Sequence, residues 1–229
     1  MRKTLKSFFS LIYPELCCCC KQSLVGDEKH ICTSCHYKLP KTNFHKDSDN
    51  AVELIFRGRV PVESAASYLY FQKGSSVQHL IHNFKYKGNV HLGYHLGKVY
   101  GNELKSSDIF SKADLIVPIP MHPAKQKKRG FNQSEVFARG IAEAMQIPID
   151  VSSLVKKEKT QTQTKKSRFV RWENVETVFS IKDPEVFKSK HILLVDDVVT
   201  TGATIEACAQ KLLKIEGVSL SIITLAIAS

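Results

Sequence analysis

The residues best suited to bind a ligand run from Ile192 to Thr204, as Ile-Leu-Leu-Val-Asp-Asp-Val-Val-Thr-Thr-Gly-Ala-Thr. A phosphate at the start of the helix that follows would meet free N–H groups and the positive end of the helix dipole. Gly202 would let the backbone come close to that phosphate. Asp196 and Asp197 would repel a phosphate, but they can accept hydrogen bonds from the vicinal diol of a ribose. The stretch therefore predicts a ligand with a ribose next to a 5′-phosphate.

The same stretch resembles the phosphoribosyl pyrophosphate (PRPP) motif of type I phosphoribosyltransferases. Both have four apolar residues, two acids, two apolar residues and then Thr-Thr-Gly-x-Thr. The alternative is an ordinary strand, turn and helix with a polar turn, but turn chemistry seldom fixes so many residues together. The residues that the resemblance predicts to bind PRPP are Asp196, Asp197, Thr200, Thr201, Gly202, Ala203 and Thr204.

A second set of chemically active side chains is a cysteine cluster near the N-terminus. Six of the seven cysteines fall within residues 17–35, in the pattern C-x2-C-x11-C-x2-C. Each C-x2-C turn can place two thiolates on one tetrahedral metal, and four thiolates leave no open position for a substrate. The pattern therefore predicts a structural Zn²⁺ site. Its ligands are Cys17, Cys20, Cys32 and Cys35.

Other assignments of this cluster stay open at the level of sequence. Cys18 and Cys19 make a run of four cysteines, so the ligand pair within the run is not fixed by spacing. His30 or His36 could replace a thiolate, and the cysteines could also be unligated, although so small a segment has little apolar core to bury them. His91 and His95, four residues apart, could also suit a metal, but a surface pair is the simpler interpretation because no third ligand is evident.

Length and charge limit the class of protein. The chain has 229 residues and a formal net charge of +11, enough for one α/β domain and a small appendage. No stretch contains the roughly 18 apolar residues that span a membrane. The first residues are basic and then apolar, but Pro14 interrupts them, which favours a short amphipathic helix over an export signal. We therefore expect a cytoplasmic protein with reduced cysteines.

The pattern of apolar residues predicts how the sites are positioned. Helices are expected from Val77 to Phe84, from Leu92 to Leu104, from an N-cap at Ser134 to Met145, and from Ile205 onwards. Strands are expected at residues 60–71, 113–119, 175–181, 191–195 and 218–228. Apolar strands alternating with helices predict a mainly parallel sheet covered on both faces. The predicted division is a zinc segment at 1–45 and an α/β domain at 46–229, with 46–112 forming its N-terminal part.

Two basic segments lie where a ligand would collect, at the carboxyl ends of the strands. The first, Pro118–Gln133, follows one strand and precedes a helix, and it contains Lys125 and Arg129. The second, residues 156–171, has seven basic residues against one acid and no apolar periodicity, which predicts a mobile loop.

Taken together, these segments resemble the ComF family of competence-associated proteins. The resemblance covers the four predicted zinc ligands, Pro118–Gln133, the Thr-Gln-Thr-Gln stretch at 160–163 with the basic residues after it, and the motif at 192–204. It implies a type I phosphoribosyltransferase fold with an N-terminal zinc segment. It also implies that Pro118–Gln133 binds pyrophosphate, through residues such as Lys125 and Arg129, and that residues 157–171 form the flexible catalytic loop.

The resemblance further implies a mechanism, in which a nitrogen nucleophile displaces pyrophosphate from C1′ of PRPP with Mg²⁺ bridging the ribose hydroxyls and the pyrophosphate. The protein would stabilise charge on the departing pyrophosphate. Arg129, Lys157 and Lys159 are the residues expected to do so. The sequence contains no recognisable pocket for an acceptor base.

The basic segments also suit a second polyanion, single-stranded DNA, because lysines can track its backbone and aromatic residues such as Phe131 can stack on its bases. The same charges could equally serve PRPP or solubility. Members of the ComF family are associated with uptake of single-stranded DNA. Three hypotheses follow: a PRPP-binding protein of the DNA-uptake machinery, an active phosphoribosyltransferase with an unknown acceptor, and a regulatory PRPP sensor.

Overall fold

Four parallel strands form the central sheet of the computed structural model, which describes residues 14–86, 88–156 and 178–228. In chain order, the strands are β1 (Ser64–Phe71), β2 (Leu115–Pro118), β3 (Leu154–Lys156), β4 (Phe179–Ile181), β5 (His191–Val199) and β6 (Ser219–Ala228). The sheet has the order β1-β6-β5-β2, and all neighbouring strands in it are parallel. The predicted parallel sheet is therefore confirmed.

Helices connect these strands, as parallel pairing requires. In chain order, they are α1 (Thr33–Tyr37), α2 (Ala51–Phe56), α3 (Ser76–Tyr86), α4 (Val90–Leu104), α5 (Pro123–Arg129), α6 (Gln133–Met145) and α7 (Ala203–Leu212). Short 3-10 turns lie at Phe44–Lys46 and Phe110–Lys112. The predicted helices at α3, α4, α6 and α7 are confirmed. Within the described ranges, no helix is both long enough and apolar enough to cross a bilayer.

The core lies in two layers, one on each face of the sheet. Because successive side chains of a strand point to opposite faces, Leu193 and Val195 of β5 join the layer of α3, α4 and α6. Ile192 and Leu194 join the layer of α2 and α7 on the other face. Burial on both faces explains why β5 begins as a continuous apolar run.

Helices α4 and α6 approach each other closely because glycines face each other at their contact. A Cβ atom on Gly97 would lie 2.2 Å from the carbonyl oxygen of Phe137, and one on Gly140 would lie 2.2 Å from the carbonyl oxygen of Tyr94. The backbones therefore touch directly. This contact holds the start of α6 at the carboxyl edge of the sheet, where the predicted site lies.

Two of the differences from the sequence-based expectations concern the arrangement of β4 and of Pro118–Gln133. β4 belongs to the predicted strand at 175–181, but it pairs with β3 in a separate antiparallel ribbon rather than in the main sheet. Pro118–Gln133 is not a continuous loop, because α5 forms within it. Pro123 occupies the first turn of α5, His122 Nδ1 accepts a hydrogen bond from the Ala124 N–H at 3.2 Å, and Gly130 ends the helix at φ +90°.

Candidate functional site

The two acids of the PRPP-like motif lie at the carboxyl end of β5. The strand is expected from the sequence to end at residue 195 but continues to Val199, so Asp196 and Asp197 are strand residues. The Oδ1 atom of Asp196 accepts hydrogen bonds from Ser134 Oγ at 2.7 Å and from the Asp197 N–H at 2.8 Å. The site therefore joins β5 to the first turn of α6.

This arrangement corrects the predicted N-cap of α6. The cap is Asn132, whose side-chain oxygen accepts from the Ser134 N–H at 3.2 Å and whose Nδ2 donates to the Ile119 carbonyl at 2.9 Å. Asn132 fixes the loop after β2 to the start of α6 and leaves the Ser134 hydroxyl to bind Asp196. A serine at this position looks like a cap in sequence because both roles use the same hydroxyl.

Burial and the neighbouring carboxylate of Asp197 raise the pKa of Asp196 to about 7. The hydrogen bond from Ser134 and the positive charge of Lys85 act in the opposite direction. Asp196 therefore titrates near neutral pH, and it can accept or donate a hydrogen bond according to its protonation state.

Asp197 has a cationic partner that the sequence does not reveal. Lys85 Nζ, from the last turn of α3, lies 2.7 Å from Asp197 Oδ2. The Oδ1 atom of Asp197 accepts from the Val198 N–H at 2.6 Å. In the sequence, Lys85 is only a basic residue near a helix end, and no signal connects it to an acid more than a hundred residues away.

The hydroxyl-rich turn after β5 leads into α7 through Gly202, which adopts φ +73°. A Cβ atom on Gly202 would lie 2.7 Å from Ile55 Cγ2, so both backbone conformation and packing require glycine here. Arg59 donates to the Thr201 carbonyl at 2.7 Å and also pairs with Glu206 in the first turn of α7. Arg59, which sequence reasoning missed, therefore holds the turn at both ends.

The other members of this turn are open to ligand. Thr200, Thr201, Ala203 and Thr204 are exposed, whereas Gly202 is buried. Exposed hydroxyls at the start of a helix of ten residues can donate to a phosphate together with the backbone N–H groups. Their role in binding stays a prediction.

The basic residues predicted to bind pyrophosphate are only partly described. Lys125 is exposed on α5, and Arg129, at the end of α5, donates to Gln133 Oε1 at 2.6 Å. The backbone N–H of Ile119 donates to the Val195 carbonyl at 2.8 Å, which places the start of this segment beside the end of β5. Lys157 and Lys159 lie outside the described residues, as does the whole of the predicted catalytic loop at 157–171.

The four predicted metal ligands come together as expected. The sulfur atoms of Cys17, Cys20, Cys32 and Cys35 all lie within 4.8 Å of one another, which is close enough to hold one metal ion. Among the described residues, this is the one group of metal-ligating side chains that meets this distance. No histidine belongs to it.

Backbone N–H groups stabilise the thiolate form of Cys17. Cys17 Sγ accepts from the N–H groups of Cys32 at 3.3 Å and Cys19 at 3.4 Å. Burial raises the pKa of Cys17, but hydrogen bonds from the backbone of Cys20, Cys32 and Cys19 together lower it to about 6. By contrast, burial raises the pKa of Cys19 to about 12, so that thiol stays neutral. The positions of the sulfur atoms, with Cys17 inside the group of four and Cys19 outside it, suit Cys17 as a metal ligand and Cys19 as a packing residue.

The cysteine segment shares the main core instead of standing apart from it. Cys17, Cys18 and Cys19 are buried in the same apolar layer as α3 and α4. The Cys18 carbonyl accepts from Asn83 Nδ2 of α3 at 3.0 Å. His30 stacks on His91 of α4, with ring centroids 6.2 Å apart, so this histidine lies at the contact between the segment and α4.

Comparison with known proteins identifies the α/β domain. The family model of the phosphoribosyl transferase domain matches residues 132–229, which include Ser134, the acidic pair and the turn at Gly202. The parallel sheet and this match assign the type I phosphoribosyltransferase fold. The glutamine PRPP amidotransferase of B. subtilis gives a TM-score of 0.43 at 20% identity, over 62% of this chain and 30% of that one.

Relatives extend the match beyond this domain. Competence protein ComFC of Bacillus subtilis is 26% identical over 87% of this chain and 78% of its own length. These similarities support assignment of the chain to the ComF family, with a phosphoribosyltransferase-like domain. Other similar proteins are DNA utilization protein YhgH of Salmonella typhimurium, 29% identical over 59% of this chain, and Competence protein F of Haemophilus influenzae, 28% identical over 59%. The chain spans 60% and 61% of the length of these two relatives, respectively.

Proposed function

We propose that this ComF-family protein binds PRPP and acts in the uptake or processing of single-stranded DNA during natural transformation. One observation supports the PRPP part above all: the acidic pair at the end of β5 lies a few residues before a glycine turn that starts α7. These features supply, side by side, acceptors for a ribose diol and donors for a 5′-phosphate. The names of the relatives support the DNA part.

In this proposal, each group of residues binds one part of PRPP. Asp196 and Asp197 hold the diol, and the turn at 200–204 holds the 5′-phosphate. Lys125 and Arg129, together with Lys157 and Lys159, bind the pyrophosphate. Two carboxylates are oxygen donors of the kind that Mg²⁺ prefers, and bound Mg²⁺ would neutralise charge on the pyrophosphate. The four cysteines hold a structural Zn²⁺, since four thiolates are its common ligand set.

PRPP binding is tested by calorimetric titration with Mg²⁺ present. The wild-type protein should bind PRPP more tightly than ribose 5-phosphate, which leaves the pyrophosphate segment empty. Changing Asp196 and Asp197 together to Asn should remove most PRPP binding, because each charged hydrogen bond removed costs roughly 1.5–3 kcal/mol. Asp47→Asn, at an exposed acid in a different part of the chain, is the matched control. Equal PRPP affinity in the double variant and the wild type would contradict the proposed site.

DNA binding is tested by measuring affinity for single-stranded DNA at several salt concentrations. α5 presents three exposed lysines, Lys125, Lys127 and Lys128, next to the half-buried Arg129. Changing all four to Gln should flatten the plot of log affinity against log salt, by about 0.7 for each phosphate that the protein no longer neutralises. PRPP should compete with DNA for this helix. If the protein does not bind DNA at low salt, the proposed role in DNA handling is rejected. A separate assay with PRPP and a panel of bases tests catalysis, since release of pyrophosphate would mean that the protein also turns PRPP over.

A further inference from the structure

The ion pair between Lys85 and Asp197 lies inside the candidate ribose site. The side chain of Lys85 is 21% exposed and that of Asp197 is 17% exposed, so both charges are largely removed from water. The Nζ atom lies 2.7 Å from Asp197 Oδ2, while the other oxygen of Asp197 accepts from the Val198 backbone. Lys85 therefore contacts the carboxylate oxygen of Asp197 for which the structure shows no backbone hydrogen bond.

The end of helix α3, which carries Lys85, contacts neighbouring segments on two sides. Phe84, the preceding residue, is buried and packs against Phe131 of the segment before α6, with ring centroids 5.8 Å apart. Asn83 donates to the carbonyl of Cys18 in the cysteine segment at 3.0 Å. The end of α3 is thus fixed between the cysteine segment and the start of α6. Lys85 extends from this end of the helix to the acidic pair.

A purely structural role explains this pair poorly. Removing two charges from water costs free energy that their attraction barely offsets, and apolar residues of similar size would often stabilise the fold more. Asp197 also stands beside Asp196, and both carboxylates lie where a divalent cation or a diol would otherwise bind. A lysine placed on such a pair has an evident chemical task, which is to neutralise the pair until a ligand arrives.

We propose that Lys85 is the resident counter-ion of the acidic pair, which blocks free divalent cations and transfers to the anionic pyrophosphate when PRPP binds with its metal ion. The ligand in this inference rests on the proposed function. The exclusion of free cations does not, because it depends only on the ammonium at Asp197. Metal binding and PRPP binding are consequently coupled. The metal ion binds tightly only when the Lys85 ammonium moves from Asp197 to a bound polyanion.

The first arm of the test measures Mn²⁺ binding by electron paramagnetic resonance without PRPP, at about pH 8.5, where Asp196 is mainly ionised. Lys85→Gln should bind Mn²⁺ at least about tenfold more tightly than wild type, since the ammonium no longer competes for Asp197. Lys85→Arg should stay weak. Lys98→Gln, which removes an exposed ion pair with Glu143, should match wild type. Equal Mn²⁺ affinity in Lys85→Gln and wild type would overturn the proposal.

The second arm measures PRPP binding with Mg²⁺ by calorimetry. Lys85→Gln should weaken it by about 10- to 100-fold, because the pyrophosphate no longer receives one charged hydrogen bond, and Lys85→Arg should recover much of the affinity. Lys85→Met, which keeps the length of the side chain, replaces Gln if that variant does not fold. Unchanged PRPP affinity would overturn the transfer of the lysine. Absence of PRPP binding in wild type would instead reject the proposed function, and the Mn²⁺ arm would still decide the exclusion of cations.

Discussion

Asp196 is a single residue that lowers stability in return for a chemical property. The acid is held against Asp197 in a partly buried position, and its pKa of about 7 is well above the ordinary value of 3.8. The folded protein therefore binds this proton more tightly than the unfolded chain does. Between about pH 4 and pH 7, stability falls as pH rises, because the unfolded chain has lost this proton and folding must take it up again.

Replacing Asp196 with Asn should remove this pH dependence. Above about pH 7, we expect the variant to be more stable than wild type by up to roughly 4 kcal/mol, since the shift spans about three pH units. Urea unfolding at about pH 4 and about pH 8 measures the difference in unfolding free energy, which should nearly vanish at the lower pH. Asp47→Asn should leave the slope as in wild type. A variant that loses stability with pH as the wild type does would show that Asp196 is not the group responsible.

For individual residues, the sequence predicts which side chains belong to the site better than it predicts which side chains contact each other. Asp196, Asp197 and Gly202 can be singled out because a continuous motif carries them. Lys85 and Arg59 cannot, since their partners lie far away in the chain and only the packing of α3 and α2 brings them together. The sequence points to Ser134 for the wrong reason, because a serine near a helix start is usually a cap.

The contact between α4 and α6 is the element on which the position of Ser134 depends. Gly97 and Gly140 allow the two backbones to touch, and Gly101 packs against Ala144 and Ile141 one turn further on. The apolar pattern predicts both helices correctly. It cannot predict their separation, because glycine at a helix contact has the same sequence signature as glycine tolerated in a helix.

Gly97→Ala should separate the helices. The new Cβ would lie 2.2 Å from the backbone oxygen of Phe137, which cannot move without shifting α6. We expect the unfolding free energy, measured in urea, to fall by about 1–3 kcal/mol, and PRPP binding to weaken as Ser134 moves away from Asp196. Lys98→Ala, at the next residue of α4, controls for changes in helix propensity and should cost under about 1 kcal/mol. A fully stable Gly97→Ala variant would mean that the helices have room between them.

At the scale of the whole molecule, the cysteine segment and the α/β domain behave as one core. Cys17, Cys18 and Cys19 lie in the layer that contains α3, α4 and α6. The spacing of the cysteines predicts which four sulfur atoms come together, but the apolar pattern places the segment at 1–45 as a separate unit. That division stays a prediction about the chain, and the shared core argues that its two parts unfold together.

Removal of the metal should therefore destabilise the entire protein. We expect one Zn²⁺ per chain by metal analysis and, after chelation, a single unfolding transition at lower temperature, because metal binding free energy is folding free energy here. Cys32→Ser and Cys35→Ser should lose the ion, whereas Cys18→Ser should keep it. Purified protein without zinc, prepared with reductant and added metal, would contradict the site. Two separate transitions would contradict the shared core.

The order of strands has a consequence for synthesis of the protein. β6 lies between β1 and β5, yet it is the last of these strands to leave the ribosome. Until residues 219–228 emerge, β1 and β5 each expose an unpaired edge, and the apolar layers on both faces lack their central member. From the emergence of β5 until β6 is complete, the nascent chain thus carries two open strand edges, which are surfaces that chaperones bind. A chain stopped before residue 219 would keep the complete PRPP-like motif, but β5 would have only β2 as a partner and β1 would have none.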